Sequence, residues 1–120
     1  MDDRRFPRSV YGRGDEPDPR FSLANERTFL AWIRTSLALL AAGVALEAFT
    51  LPILPGLRLA ASLVLIAGGI ASPVQAWIGW MRTERAVRLA TPLPAPRLAG
   101  PIALVVIAAG ALVALGVLLR

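Results

Sequence analysis

The chain contains no cysteine and no histidine. That excludes disulfides, thiolate nucleophiles, Cys/His metal sites and the usual general base near neutral pH. Lysine is also missing, so all thirteen basic residues are arginine. Charge of either sign is absent over two long stretches, Leu59 to Met81 and Leu98 to Leu119. No P-loop, nucleophile elbow, paired catalytic carboxylates or metal-ligand cluster occurs. Catalysis needs a positioned acid, base or nucleophile, so no enzyme, no cofactor and no metal are expected.

What the chain does have is apolar surface. Of its 120 residues, 56% are hydrophobic, against about 45–50% in an ordinary soluble domain. A soluble protein of this size has no interior large enough for that excess. The uncharged run 59–80 is long enough to cross a hydrocarbon core of about 30 Å at about 1.5 Å per residue. The expected fold is therefore an all-α integral membrane protein with three transmembrane helices and a lipid bilayer as its surroundings.

Proline and glycine punctuate the division. Pro7, Gly12, Gly14, Pro17 and Pro19 interrupt residues 1–20, which carry no apolar periodicity and are expected to form a disordered, basic cytoplasmic tail. Residues 21–120 form the three-helix domain. Its first helix is expected over about 22–50, with Ser22 as N-cap and Pro52 and Pro55 closing it. The second is expected over about 57–88, with Trp77 and Trp80 at the headgroup boundary and Arg82 to Arg88 projecting beyond it. Pro73 lies inside this helix and removes a backbone bond. Pro92, Pro94 and Pro96 then force an extended connection, and the third helix follows over about 98–119, with Pro101 in its first turn.

The net charge of +5 is unevenly distributed. Arg4, Arg5, Arg8, Arg13, Arg20, Arg27 and Arg34 precede or open the first span, and Arg82, Arg85, Arg88 and Arg97 lie in the second connection. Only Arg58 and Arg120 fall on the other side. The positive-inside bias then puts the N-terminus in the cytoplasm and the C-terminus outside. Basic chains also bind nucleic acid, but in a membrane protein the orientation signal is the first reading, and no nucleic acid is expected.

The polar residues concentrate at the start of the first helix. At about 100° per residue, Asn25, Thr28, Trp32, Ser36, Gly43 and Glu47 share one broad face, while Arg27 and Arg34 lie nearly opposite. Polar groups on two faces are wasteful in lipid, so at least one face is expected to meet protein or water. Arg27 and Arg34 have two readings: snorkelling to headgroups, or a ring of guanidinium groups holding phosphate oxygens around an oligomer axis. Glu26 is expected to form a structural ion pair with Arg27 or with an arginine of the second connection. Glu47 lies about 20 Å along the helix from Arg34, either solvated at the far boundary or lining a pore. Thr35 and Ser36 are expected to bond back to helix carbonyls. The segment Arg82–Arg88 reads as a solvated stretch or as a binder of anionic lipid or polyanion.

Small residues recur at four-residue spacing: Ala38/Ala42, Ala41/Ala45, Ala67/Ala71, Gly68/Ser72 and Gly110/Ala114. Such pairs let helices approach closely within one chain or between chains. Three short helices enclose little interior, so a homo-oligomer is expected.

The run Leu23-Ala-Asn-Glu-Arg-Thr-Phe-Leu-Ala-Trp-Ile-Arg-Thr-Ser36, continuing to Gly43, strongly resembles the YidH-like family, the domain of unknown function 202. Trp80-Met-Arg-Thr-Glu-Arg-Ala-Val-Arg88 followed by Pro92-Leu-Pro94 fits its second half. The resemblance covers about Arg20 to Leu119 and implies a multi-pass protein of the bacterial inner membrane. The same region looks like the membrane part of the eukaryotic vacuolar transporter chaperone complex, which passes polyphosphate through assembled three-helix units. That likeness implies anion-binding roles for Arg20, Arg27 and Arg97 at a cytoplasmic mouth; Arg34 departs from it, standing where the eukaryotic relative has an amide. The expected function is a self-associating membrane subunit or scaffold. The alternative is an oligomeric anion or polyphosphate conduit with Arg20, Arg27, Arg34 and Arg97 near its mouth.

Overall fold

The computed structural model describes residues 4–95 and 97–120. Four helices form: α1 (Arg8–Tyr11), α2 (Pro19–Ala48), α3 (Pro55–Leu89) and α4 (Ala99–Leu118). Among the described residues, α2, α3 and α4 are the three helices long and apolar enough to cross a membrane. At about 1.5 Å per residue α4 matches a bilayer core, whereas the 35-residue α3 overshoots it by several turns. That overhang, at the end rich in arginine, carries the polar contacts of Glu84 and Arg88.

The helix limits follow from local chemistry. α2 starts three residues before the expected Ser22, because Asp18 is the N-cap and accepts from the Arg20 backbone N–H at 2.9 Å, with Pro19 in the first turn. Aspartate followed by proline is a stronger start signal than a serine further on. α2 ends at Ala48 rather than Thr50, since Thr50 turns into the left-handed region at φ 48°. Pro55 opens α3 and Pro73 lies within it. Ala90, at φ 54°, closes α3, with the Thr91 N–H returning to the Ala86 carbonyl at 2.9 Å.

Both α2 and α4 pack on α3, and their backbones do not approach one another. Glycine sets the spacing. A Cβ on Gly43 would lie 2.6 Å from Ile66 and 2.9 Å from the Ser62 carbonyl; one on Gly69 would lie 2.7 Å from Leu40 and 3.0 Å from the Ser36 carbonyl. The buried Ser62 hydroxyl donates to the Gly43 carbonyl at 2.6 Å. On the other side, Gly68 meets Val105 of α4 and Gly116 meets Ile53. Leu39, Leu65 and Ala109, one from each span, form the small apolar core. Of the small pairs, Gly68 works within the chain, while Ala38, Ala41, Ala42 and Gly110 stay exposed. Ala42 and Gly110 border an apolar groove of about 460 Å³ between α2 and α4, whose walls also include Ala45 and Ala109 and whose floor is Leu65.

The tail departs most from expectation. Met1–Asp3 lie outside the described residues, but residues 4–18, expected without ordered structure, lie on the α3 overhang. Val10 is fully buried. Arg88 holds the segment: its Nε donates to the Arg13 carbonyl at 2.9 Å and its Nη2 to the Tyr11 carbonyl at 3.2 Å, while the Asp15 N–H donates back to the Arg88 carbonyl at 3.0 Å. Arg5 pairs with Glu16 at 2.6 Å and lies 4.3 Å from the Tyr11 ring centre. Gly14, at φ 60°, passes so near the Arg88 carbonyl that a Cβ there would clash with it. The tail has no apolar periodicity because a guanidinium gripping backbone carbonyls, rather than an apolar face, fixes it.

Candidate functional site

α2 and the α3 overhang meet through a buried carboxylate. Glu84 is 2% exposed. It accepts from the Ser22 hydroxyl at 2.5 Å and from the Asn25 amide at 3.1 Å, and Asn25 also donates to the Trp80 carbonyl at 3.0 Å. Burying a carboxylate costs several kcal/mol unless it is hydrogen-bonded, and here each carboxylate oxygen accepts one hydrogen bond. Burial raises the Tyr11 phenol above its ordinary value, with the Glu84 charge adding to it.

Beside this network lies a cavity of about 220 Å³. α2 contributes Asn25, Thr28, Phe29 and Trp32, α3 contributes Gln75, Ala76, Gly79, Trp80, Arg82 and Thr83, and the connection to α4 contributes Pro94, Ala95, Arg97 and Leu98. Aromatic rings surround this level. Trp77 stacks on Trp80 at 5.1 Å, Phe29 meets Trp77 edge-on at 6.3 Å, and Tyr11 lies 6.4 Å from Trp80. Indole and phenol rings favour the headgroup boundary, so the cavity sits at headgroup depth.

The polar face of the first helix is thus used inside the chain. Asn25, Ser36 and Gly43 are buried against α3, and Thr28 and Trp32 border the cavity. Thr28, Thr35 and Ser36 also bond back to the carbonyls of Ala24, Ala31 and Trp32. The four arginines expected to act together are dispersed. Arg97 lines the cavity, Arg20 is paired with Asp18 at 2.8 Å, and Arg27 and Arg34 point outward on the exposed face of α2. Arg82 takes the second place in the cavity. Glu26 is exposed and, among the described residues, forms no ion pair; the carboxylate that matters is Glu84. Glu47, at the far end, pairs with Arg58 at 3.4 Å, and Arg58 also donates to the Leu51 carbonyl.

Of the segment Arg82–Arg88, expected as a solvated stretch or a binder of anionic lipid or polyanion, Glu84 and Arg88 are buried within the chain. The buried residues of α3 run Ser62, Leu65, Gly69, Ser72, Ala76 and on to Glu84 and Arg88. That is one helical face at three- and four-residue steps as far as Ala76, passing half-buried Trp80 to reach Glu84 and then Arg88 beyond the apolar part. Extending the spacing past Met81 finds both residues.

Three membrane-length helices, in a chain similar to proteins named for the inner membrane, make this a multi-pass protein of the bacterial inner membrane. The chain belongs to the family described as "Domain of unknown function (DUF202)", which matches residues 20–86. It is 52% identical over 85 residues to "Inner membrane protein YidH" of Escherichia coli (strain K12), covering 68% of this chain and 71% of that protein. It is 48% identical over 80 residues to "Uncharacterized protein Rv2272" of Mycobacterium tuberculosis (strain ATCC 25618 / H37Rv), covering 66% of each. No solved structure matches the chain. The matched residues include all of α2 from Arg20 onward, with the buried face described above, and α3 as far as Glu84.

Proposed function

We propose that this protein is a non-catalytic membrane subunit that assembles with copies of itself, inserted with its N-terminus in the cytoplasm and its C-terminus outside. The observation that carries this reading is the open groove between α2 and α4. In lipid, helices associate by close packing rather than by apolar burial. Ala42, Ala45, Ala109 and Gly110 leave room there for another helix to approach closely, and a Cβ on Gly110 would meet nothing. α4 supports it too, burying only Ala109 and Gly116 within the chain. The orientation rests on the gathering of the tail, Arg82, Arg85, Arg88 and Arg97 at one end.

A second reading, an anion or polyphosphate conduit formed by the assembly, is favoured by one feature. Arg27 and Arg34 share an exposed α2 face and, among the described residues, have no partner within the chain. In an assembly that face would meet a neighbour, an axis or headgroups. The likeness to the membrane part of the vacuolar transporter chaperone complex supports the same reading.

The absence of cysteine makes the test direct. Ser9→Cys carries one fluorophore per chain, and single-molecule photobleaching in lipid counts the chains. Several bleaching steps are expected for this chain and fewer when Gly110→Leu fills the groove. Single steps throughout contradict assembly, and an unchanged count in Gly110→Leu contradicts the groove's part. In intact cells a membrane-impermeant thiol reagent should reach Arg120→Cys but not Ser9→Cys; the reverse labelling refutes the orientation.

A further inference from the structure

The cavity at the arginine-rich end has a lining that helix packing does not require. Arg82 of α3 and Arg97 of the connection both border it, and among the described residues no carboxylate does. Of the acids described at this end, Glu84 is engaged with Ser22 and Asn25, Glu16 with Arg5 and Arg88, and Asp18 with Arg20, while Asp15 is exposed outside the lining. Glu26 lies exposed on α2, outside the lining. Neither Arg82 nor Arg97 has a hydrogen-bond or ion-pair partner among the described residues. Two arginines lining one space, with no carboxylate lining it among the described residues, leave a demand for an anion.

Three further features agree on its chemistry. The Gln75 amide and the Thr83 hydroxyl border the same space and bond to no other described group. α4 begins there: Leu98, its N-cap residue, lines the cavity, with no side-chain cap and no acid in the first turn. A helix N-terminus carries partial positive charge and free N–H donors, which suit an anion. Gly79 keeps the space open, since a Cβ added there would meet nothing.

We propose that this cavity binds a phosphate group, carried by an anionic lipid headgroup or free in solution. Planar guanidinium donors match phosphate oxygens two at a time. The aromatic rings place the cavity at the depth where lipid phosphates lie. Its 220 Å³ suits a small headgroup, being below the ~300–1,000 Å³ typical of pockets for larger ligands. Every lining residue comes from one chain, so the proposal does not rest on assembly or on conduction.

Native mass spectrometry of the full chain in an uncharged detergent tests it, with phosphatidylglycerol and phosphatidylcholine as probes. Phosphatidylglycerol should be retained in preference to phosphatidylcholine. Arg82→Ala and Arg97→Ala should each weaken retention about tenfold, as expected for the loss of a charge-assisted contact. Arg120→Ala, at the far end of the bundle and outside the lining, should leave it unchanged. Gly79→Leu keeps both arginines and replaces a helix-weakening glycine, yet fills the space; it should abolish retention while the circular dichroism signal of the helices persists.

Adding inorganic phosphate distinguishes the sources. Displacement of the lipid by millimolar phosphate, lost in the Arg82 and Arg97 variants, assigns a site open to free phosphate. Retention unaffected by phosphate assigns a lipid site. Equal retention of the two lipids with no effect of phosphate overturns the proposal. So does equal weakening by the Arg120 variant, or full retention by a folded Gly79→Leu chain.

Discussion

The membrane-spanning part and the arginine-rich end hold the same helices together by opposite means. In the spans, contact is made where side chains are missing: Gly43 and Gly69 between α2 and α3, and Gly68 and Gly116 beside α4. At the arginine-rich end, contact is made by polar side chains reaching across: Ser22 and Asn25 to Glu84, and Arg88 to the carbonyls of the tail. Lipid accounts for the first mode, because apolar side chains gain nothing from choosing a helix over a lipid tail. Water and headgroups account for the second, because there a buried carboxylate can be fully hydrogen-bonded and still lie close to solvent. The spans supply proximity, and the polar end supplies a specific arrangement.

This difference can be broken most severely in the spans. Gly69→Leu puts a side chain against Leu40 and the Ser36 carbonyl, and backbone cannot yield as a flexible side chain can. A loss of about 3 kcal/mol or more is expected, read as a lowered midpoint in detergent-induced unfolding. At Gly110, where a Cβ meets nothing, the same substitution should change protomer stability by no more than about 0.5 kcal/mol.

The tail gives a smaller and local effect. Gly14→Ala forces an alanine into the left-handed region and against the Arg88 carbonyl. About 1–2 kcal/mol of docking is expected to be lost from the backbone conformation alone, seen as faster tryptic cleavage at Arg8 and Arg13. The unfolding midpoint of the spans should not move.

The smallest effect belongs to the cap of α2. Hydrogen bonds from the Arg20 side chain and backbone lower the Asp18 carboxyl below its usual range. The folded state therefore holds the ionised form more strongly than the unfolded state does. The stabilisation is present above the ordinary carboxylate pKa and is lost as pH falls through the lower, folded value. Asp18→Asn keeps a capping oxygen but cannot ionise, so it should remove this acid-side part of the pH dependence and little else.

The three spans were legible because an uncharged run of membrane length between prolines fits little besides a membrane-crossing helix. The buried face of α2 was legible because Asn25, Ser36 and Gly43 recur at helical spacing. Glu84 was hidden: amid Arg82, Arg85 and Arg88 it looks like a solvated acid, and its partner Asn25 is 59 residues away. The docked tail was hidden for a different reason. Arg88 binds main-chain carbonyls, which every residue owns and no composition reveals. Arg20, Arg27, Arg34 and Arg97 looked alike as charges, yet of these only Arg97 reaches the cavity, because it sits in the connection beside it while the other three lie on α2 outside the lining.

The central claim is that the polar motif of α2 works against α3 of its own chain at the arginine-rich end. A double-mutant cycle on Asn25→Ala and Glu84→Ala, followed by reversible unfolding in mixed micelles, tests it most directly. A shared buried hydrogen bond to a carboxylate predicts a coupling of about 1–2 kcal/mol between the two sites. Strict additivity of the two substitutions would contradict it, since that is the result for an Asn25 that faces lipid or another chain.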